Sequence, residues 1–470
     1  MNADRGELAL VLHTHMPYVE GFGTWPFGEE WLWEAIASSY LPLLELLECG
    51  APLTLSLTPV LCDQLEAEGA GERCLRFLRE VRADTHARDV EGLRMGGHEG
   101  LARELERSAA EYERAAARLE QLDCDLLAAF ARHVTWTSAA THPILPLLAT
   151  DAGVRLQLGS GVASHRRRFG DWGGGLWLPE CAYAPWLDPL LTEAGVQAFC
   201  VELTDLYGPG AGEHLRPVAL EDGPLAVPID RATVDLAWGE HGYPAAGAYR
   251  DRHRHTTFHH HPWANHGGAY EHGVALACAG AHAADFVART IARLERARNE
   301  QGCPGLCVCA FDTELLGHWW YEGVAWLAAV IDEAERQGLA LARLDEGLGR
   351  YEPAPPPAGG LPVSSWGRGR DLSTWDSPAL APLVWQARRA ELQAAAASER
   401  VDERALRELL LLQSSDWAFL VSWELAAEYG RDRAAGHARR LHEALAVLDS
   451  TPARVRNIAP DLERAAFLAP

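Results

Sequence analysis

A chain of 470 residues, 48% of them hydrophobic, carries enough apolar material for one large domain with a smaller companion. Its formal net charge of −24 argues against nucleic acid or an anionic membrane as partner, because phosphate repels such a surface while a neutral ligand is indifferent to it. No apolar run approaches the ~18 residues of a membrane span, and the first apolar stretch, 8–12, is too short for a secretory leader. A cytoplasmic protein is expected.

Short β-rich runs recur along the chain, at 7–13, 52–60, 133–139, 175–179, 196–203, 225–229, 305–312 and 338–344. Helical stretches fit between several of them, at 31–47, 185–194, 283–298 and 321–337. Strands alternating with helices predict an α/β fold with a parallel sheet, open or closed into a barrel. Residues 62–132 are charged, rich in Ala, Arg, Glu and Leu, and show helical periodicity without a strand, which predicts a helical insertion. "EPAPPPAGGLP" at 352–362 reads as a linker. Beyond a loop holding Trp366 and Trp375, the chain reads as helical from about Pro378 to Leu448. The expected division is 1–351, the linker 352–362, and a mainly helical 363–470.

The ten cysteines lie mostly in apolar or helical context, and Cys303, Cys307 and Cys309 lack paired zinc spacing, so core packing is expected for them. The segment 253–272 holds seven histidines. Its spacing matches no standard metal site, and a mobile polar loop is the expectation.

Reactive side chains of parallel α/β folds sit at or just beyond the carboxyl ends of strands. Here the first strand ends in His13-Thr14-His15, the third is followed by His142, the fourth leads into Glu180, and "GLCVCAF" leads into Asp312. Taken singly, Glu180 could serve a helix dipole and Asp312 could cap a helix. Together with the histidines they suggest chemistry. The chain has 17 Trp against 11 Phe, with Trp25, Trp177, Trp263, Trp319, Trp320, Trp366, Trp375 and Trp417 in or beside expected loops and strand ends. Flat aromatic platforms suit the apolar C–H faces of sugar rings. Glycoside chemistry needs two carboxyl groups flanking the scissile bond, one of them kept protonated by burial or by a neighbouring negative charge. Glu180 can supply that charge to Asp312.

Five segments carry a family resemblance: "LHTHMPYV" (12–19), "THPILPLL" (141–148), "LWLPECAY" (176–183), "FDTELLGHWWYEG" (311–323) and "LLQSSDWAFL" (411–420). Supporting pieces are "EEWLWEAI" (29–36), "EHGYP" (240–244), "AHAADF" (281–286) and "SSWGRGRD" (364–371). In this order they resemble glycoside hydrolase family 57, most closely its 1,4-α-glucan branching enzymes. The resemblance implies a (β/α)7 incomplete TIM-like barrel with an inserted helical subdomain and a C-terminal helical domain that lends residues to the site. It implies retention through a glycosyl-enzyme, with no metal and no cofactor. By motif position Glu180 matches the nucleophile and Asp312 the acid/base. His13, His142, Asp416 and Trp417 match positions lining the sugar, with His15, Trp177 and His318 as neighbours. Tyr243 is the candidate for a tyrosine on the lid over the site. The chain departs from the pattern after "EHGYP", where the histidine-rich segment replaces an aromatic-basic stretch.

The implied partner is an α-glucan such as amylose, glycogen or maltooligosaccharides. Branching is the first reading. Hydrolysis of the α-amylase type, 4-α-glucan transfer, and a catalytically silent glucan-binding protein are the alternatives. A metal-dependent hydrolase using His13, His15 and His142 as ligands is a further one.

Overall fold

The computed structural model describes residues 5–19, 21, 28–221, 223–397, 400–446 and 457–468. Trp25 and the expected helix end near Leu448 lie outside them. The strands are β1 (Gly6–Thr14), β2 (Leu53–Leu57), β3 (Val134–Ser138), β4 (Gly175–Trp177), β5 (Ala198–Val201), β6 (Val218–Ala219), β7 (Leu225–Pro228), β8 (Gly305–Asp312) and β9 (Ala340–Leu341). They form one sheet in the order β6-β7-β5-β4-β3-β2-β1-β8, with β9 paired to β1. From β7 through to β8 every pairing is parallel, so seven strands build the barrel wall. The wall stays incomplete between β7 and β8. Among the described residues a backbone bond from Asp230 N to Val308 O, 2.8 Å, spans the gap instead of a ladder.

β1 is buried along its whole length, as expected for an apolar strand covered on both faces. Leu8, Leu10 and Leu12 pack outward against helices, while Ala9 and Val11 point into the barrel beside Trp136, Trp177 and Val308. β8 alternates in the same way: Cys307, Cys309 and Phe311 face out, and Leu306, Val308 and Ala310 face in. Cys307 and Cys309 are therefore core residues. Gly175 admits the large interior indole, since a Cβ there would lie 2.4 Å from Trp136 Nε1.

Registers then decide what meets at the rim. His13 pairs with Asp312 across β1–β8 and with Ser56 across β1–β2, and Ser138 pairs with Trp177 across β3–β4. The carboxyl ends of five strands thus converge.

Two expected elements differ in detail. The strand predicted over 338–344 is only Ala340–Leu341, continuing the edge of β1 below the point where β2 begins. The helix predicted over 31–47 is Glu29–Ala35, a π-helical stretch Ile36–Tyr40, and Leu41–Glu48. The π stretch turns Ser39 Oγ onto Thr313 O (3.0 Å) and Tyr40 Oη onto Glu314 (2.5 Å), an example of such irregularities occurring beside functional groups.

Between β2 and β3 the chain is helical, the longest helix being Glu99–Gln121. Helices Ala381–Ala397, Glu403–Leu412, Ser415–Ser422 and Ala427–Ala446 share a second core that includes Leu406, Leu409 and Leu441 and reaches Tyr18 and Leu156. The 352–362 stretch is tacked to the sheet, with Ala354 bridging Val218 and Leu361 buried. Among the described residues one helix, His272–Gln301, is long and apolar enough to cross a membrane by composition. Here Ala283, Phe286, Val287 and Leu294 pack one face of it against the barrel.

Candidate active site

β4 ends at Trp177, and Pro179–Cys181 forms a single tight turn that lifts Glu180 out of the sheet. Glu180 (φ 60°), Cys181 (φ 49°) and His142 (φ 58°) all adopt left-handed backbone. Such conformations cost on the order of 1–3 kcal/mol each and persist where surroundings over-determine them. For Glu180 the surroundings are visible. Trp366 N donates to Glu180 O (2.9 Å), and Trp366 Nε1 donates to Glu180 Oε2 (2.6 Å).

Glu180 and Asp312 line one cavity of about 860 Å³, together with His15, His142 and Asp416. Burial raises both carboxyl groups above the ordinary carboxylate range. After burial, Asp312 is the main cause for Glu180, whereas Glu314 and then Asp416 act on Asp312. The hydrogen bonds divide the pair. Glu180 receives an indole N–H that favours its charged form, and among the described residues no donor reaches the Asp312 carboxyl. When the pair holds one proton, it therefore resides on Asp312.

Glu314 sits two residues on and accepts from Tyr40 Oη (2.5 Å) and from His15 N (3.2 Å). Burial nonetheless pushes it up to about 8.

The histidines form a connected set. His13 Nε2 lies 3.0 Å from His142 Nε2, His13 Nδ1 is 3.2 Å from Ser56 Oγ, and His142 Nδ1 is 3.0 Å from Ser415 Oγ. Burial, with the neighbouring imidazoles, holds both rings far below the usual histidine range, so both are neutral. A 3.0 Å contact between two ring nitrogens needs one N–H and one bare nitrogen, which neutral rings supply. The rings stack at 4.0 Å (His15–His142) and 5.0 Å (His13–His142), and Trp177 closes the column 4.8 Å from His13.

Asp416 enters from the helix Ser415–Ser422 and accepts from His15 Nε2 at 2.9 Å. His15, His142 and Asp416 offer ligand atoms all within 4.8 Å of one another. Each already has a hydrogen-bond partner in the protein, as in a self-satisfied polar network.

The structure thus gathers Glu180, Asp312, His15, His142 and Asp416 at the cavity, with His13 and Trp177 directly behind them. Three other expected residues lie elsewhere. Tyr243 turns outward, its hydroxyl on Asp285 Oδ2 (2.8 Å) and its ring stacked on His282 (4.5 Å), so it does not cap the cavity. The other two residues of its turn, Pro244 and Ala245, line the cavity, while the tyrosine side chain points to Asp285 of the helix His272–Gln301. Trp417 is buried in the helical core, donating to Leu411 O (2.7 Å) beneath the Arg433 guanidinium. It sits one residue past Asp416, on the helix face turned away from the site. His318 is buried beside Trp319, facing a neighbouring cavity.

The histidine-rich segment is pinned rather than loose. Asp89, from the helix Ala83–Met95, accepts from His260 Nδ1 (2.6 Å) and Phe258 N (3.3 Å), and also from Thr256. Glu314 and Tyr40 carried no assigned role in the sequence, although "FDTELL" held the first in plain view. Trp366 was legible within "SSWGRGRD".

Parallel strands presenting two buried carboxyl groups over neutral imidazoles define an enzyme of the glycoside-processing class. The sequence pattern of glycosyl hydrolase family 57 matches residues 135–353, and that described as 1,4-alpha-glucan branching enzyme, C-terminal, matches 381–465. The chain is 32% identical to the 1,4-alpha-glucan branching enzyme of Thermococcus kodakarensis over 93% of this chain and 73% of that one. To the probable 1,4-alpha-glucan branching enzyme of Mycobacterium tuberculosis it is 33% identical, over 93% and 91%. The fold superposes on the crystal structure of a GH57-type branching enzyme from Pyrococcus horikoshii with a TM-score of 0.89 at 30% identity, covering 99% of this chain and 95% of that one. The chain belongs to glycosyl hydrolase family 57.

Proposed function

We propose that this enzyme is a retaining 1,4-α-glucan branching enzyme acting on amylose, glycogen and related maltooligosaccharides in glycogen biosynthesis. The observation that carries the reading is the unequal pair: an indole N–H on Glu180, none on Asp312, both in one cavity. Glu180 attacks the anomeric carbon as the C1–O4 bond breaks, and Asp312 gives its proton to the departing 4-oxygen. A covalent glycosyl-enzyme remains. Asp312, now ionised, then takes the proton from a 6-hydroxyl of an incoming glucan as C1–O6 forms and Glu180 leaves. Neutral His13 and His142 keep additional positive charge away from the carboxylate, so the nucleophile is not quenched as an ion pair.

Ten free cysteines support a reducing, cytoplasmic location. We also take residues 1–351 as the catalytic barrel with its insertion at 62–132, 352–362 as the connection, and 363–470 as the helical domain. Ser415 and Asp416 of that domain hydrogen-bond His142 and His15 of the barrel.

The test is to digest amylose, treat the product with an α-1,6-specific debranching enzyme, and compare reducing ends before and after. New ends appearing only on debranching are expected. Ends that appear without debranching, with no α-1,6 product, would replace branching by hydrolysis.

A further inference from the structure

A second cavity of about 890 Å³ lies beside the catalytic one, within the range of about 300–1,000 Å³ common for small-molecule sites. The two share Trp31, Arg250, Arg252, Trp319, Leu420 and Leu425 along their common edge. Its lining includes Ser108, Tyr112 and Arg118 of the helix Glu99–Gln121 and, next to them, His255, His259, His260 and His261 of the histidine-rich segment. Trp319 stands on the shared edge and is 51% exposed, so part of its ring is open to a ligand.

The polar groups indicate what chemistry the cavity suits. Arg82 pairs with Glu34 (2.8 Å), while Arg107 and Arg250 both pair with Glu104. Arg252 makes no hydrogen bond or ion pair among the described residues, and its Nε is sealed from solvent with no acceptor. On the other wall His260 gives its Nδ1 proton to Asp89, which leaves Nε2 as a bare acceptor, and that atom too is buried without a partner. Besides the Arg82–Glu34 pair, the lining holds unpartnered donors (Arg250 Nε, Arg252 Nε) and unpartnered acceptors (His260 Nε2, Glu322 Oε2), a mixture that suits neighbours which both donate and accept, as hydroxyl groups do. Five arginines and four glutamates line the space, so their charges nearly cancel and no anion is selected.

We propose that this second cavity is the trough for the acceptor strand of an α-glucan, which runs along the helical insertion and the histidine-rich segment packed on it and crosses Trp319 to reach the glycosyl-enzyme. The proposal rests on the branching reading. Hydrolysis needs one strand at the carboxylates, whereas branching needs a second strand to present a 6-hydroxyl while the donor fragment stays on Glu180. Trp319 offers a ring face to a sugar, and the terminal nitrogens of the partly exposed Arg252 donate to its hydroxyls.

The experiment is a calorimetric titration of the full chain carrying Glu180→Gln with maltoheptaose. Two binding sites per chain are expected. Adding Arg252→Gln should weaken one of them by about tenfold or more, the scale of a lost hydrogen bond from a charged donor. The melting temperature should not fall, because a structural role would lower it whereas removing an unpaired cation does not. Trp319→Ala, at an exposed position, should weaken the same site and decides the matter if Arg252→Gln melts early. A single site in the Glu180→Gln protein, or two sites of unchanged affinity in both variants, overturns the proposal. Site counting does not depend on products, so a failure of branching in the amylose assay is seen separately.

Discussion

Trp366 Nε1 donates a 2.6 Å hydrogen bond to Glu180 Oε2, across 186 residues of sequence. This bond favours the ionised form of Glu180 against the burial that opposes it. Trp366→Phe keeps the ring and removes the donor. The acidic limb of the pH–rate profile should move to higher pH, because Glu180 then releases its proton less readily. A fall in kcat of about ten- to hundredfold is expected, in line with ~1.5–3 kcal/mol for a bond to a charged group. An unmoved acidic limb would deny Trp366 this part.

Glu180→Gln and Asp312→Asn should each lower glucan turnover by several orders of magnitude with the fold retained. The two roles separate under azide. A small anion can take the place of the missing carboxylate at Glu180, giving a glycosyl azide of inverted configuration. Residual activity above about a tenth of wild type would remove that residue from its role.

Stability should respond to pH in a direction the buried acids dictate. Glu180 and Asp312 hold protons in the folded chain that the unfolded chain, ionising near about 4, has already released. Each therefore favours unfolding progressively as pH rises from there through its folded value, and the penalty is constant beyond. Glu180→Gln should melt above wild type at pH 8, with the gap narrowing toward pH 5. Equal gaps at both pH values would contradict the burial account.

Tyr243 provides a contrast. Its hydroxyl is held by Asp285 on the barrel's outside, so Tyr243→Phe should leave the ratio of α-1,6 linkages to new reducing ends unchanged. The expected cost is about 1 kcal/mol of stability from the lost bond. A rise in reducing ends relative to branches would return Tyr243 to the role of a lid.

The barrel was legible because its strands are apolar runs that end abruptly in His, Glu or Asp, and registers such as His13 with Asp312 follow from that pattern. β6 was not, since two residues on an antiparallel edge leave no periodicity. The direction of Tyr243 and Trp417 was hidden because a motif orders residues along the chain but does not say which face of a turn or helix meets the site. The histidine-rich segment read as mobile because its anchor, Asp89, lies 171 residues upstream of His260. The π stretch Ile36–Tyr40 uses residues that would serve an α-helix equally well. Its cause is tertiary, the demand that Tyr40 reach Glu314.

The bond between His142 and Ser415 joins residues 273 apart, which sets a timetable for biosynthesis. A ribosome moving at ~5–20 residues per second needs roughly 15–55 s to travel from one to the other. Through that interval Glu180 and Asp312 come to exist on the growing polypeptide, yet the serine and aspartate that hydrogen-bond the imidazoles beneath them have not been translated. A chain released early, by a stalled ribosome or a protease, would carry the reactive pair over an unfinished floor. The imidazoles of the site are thus held by residues made after both carboxyl groups.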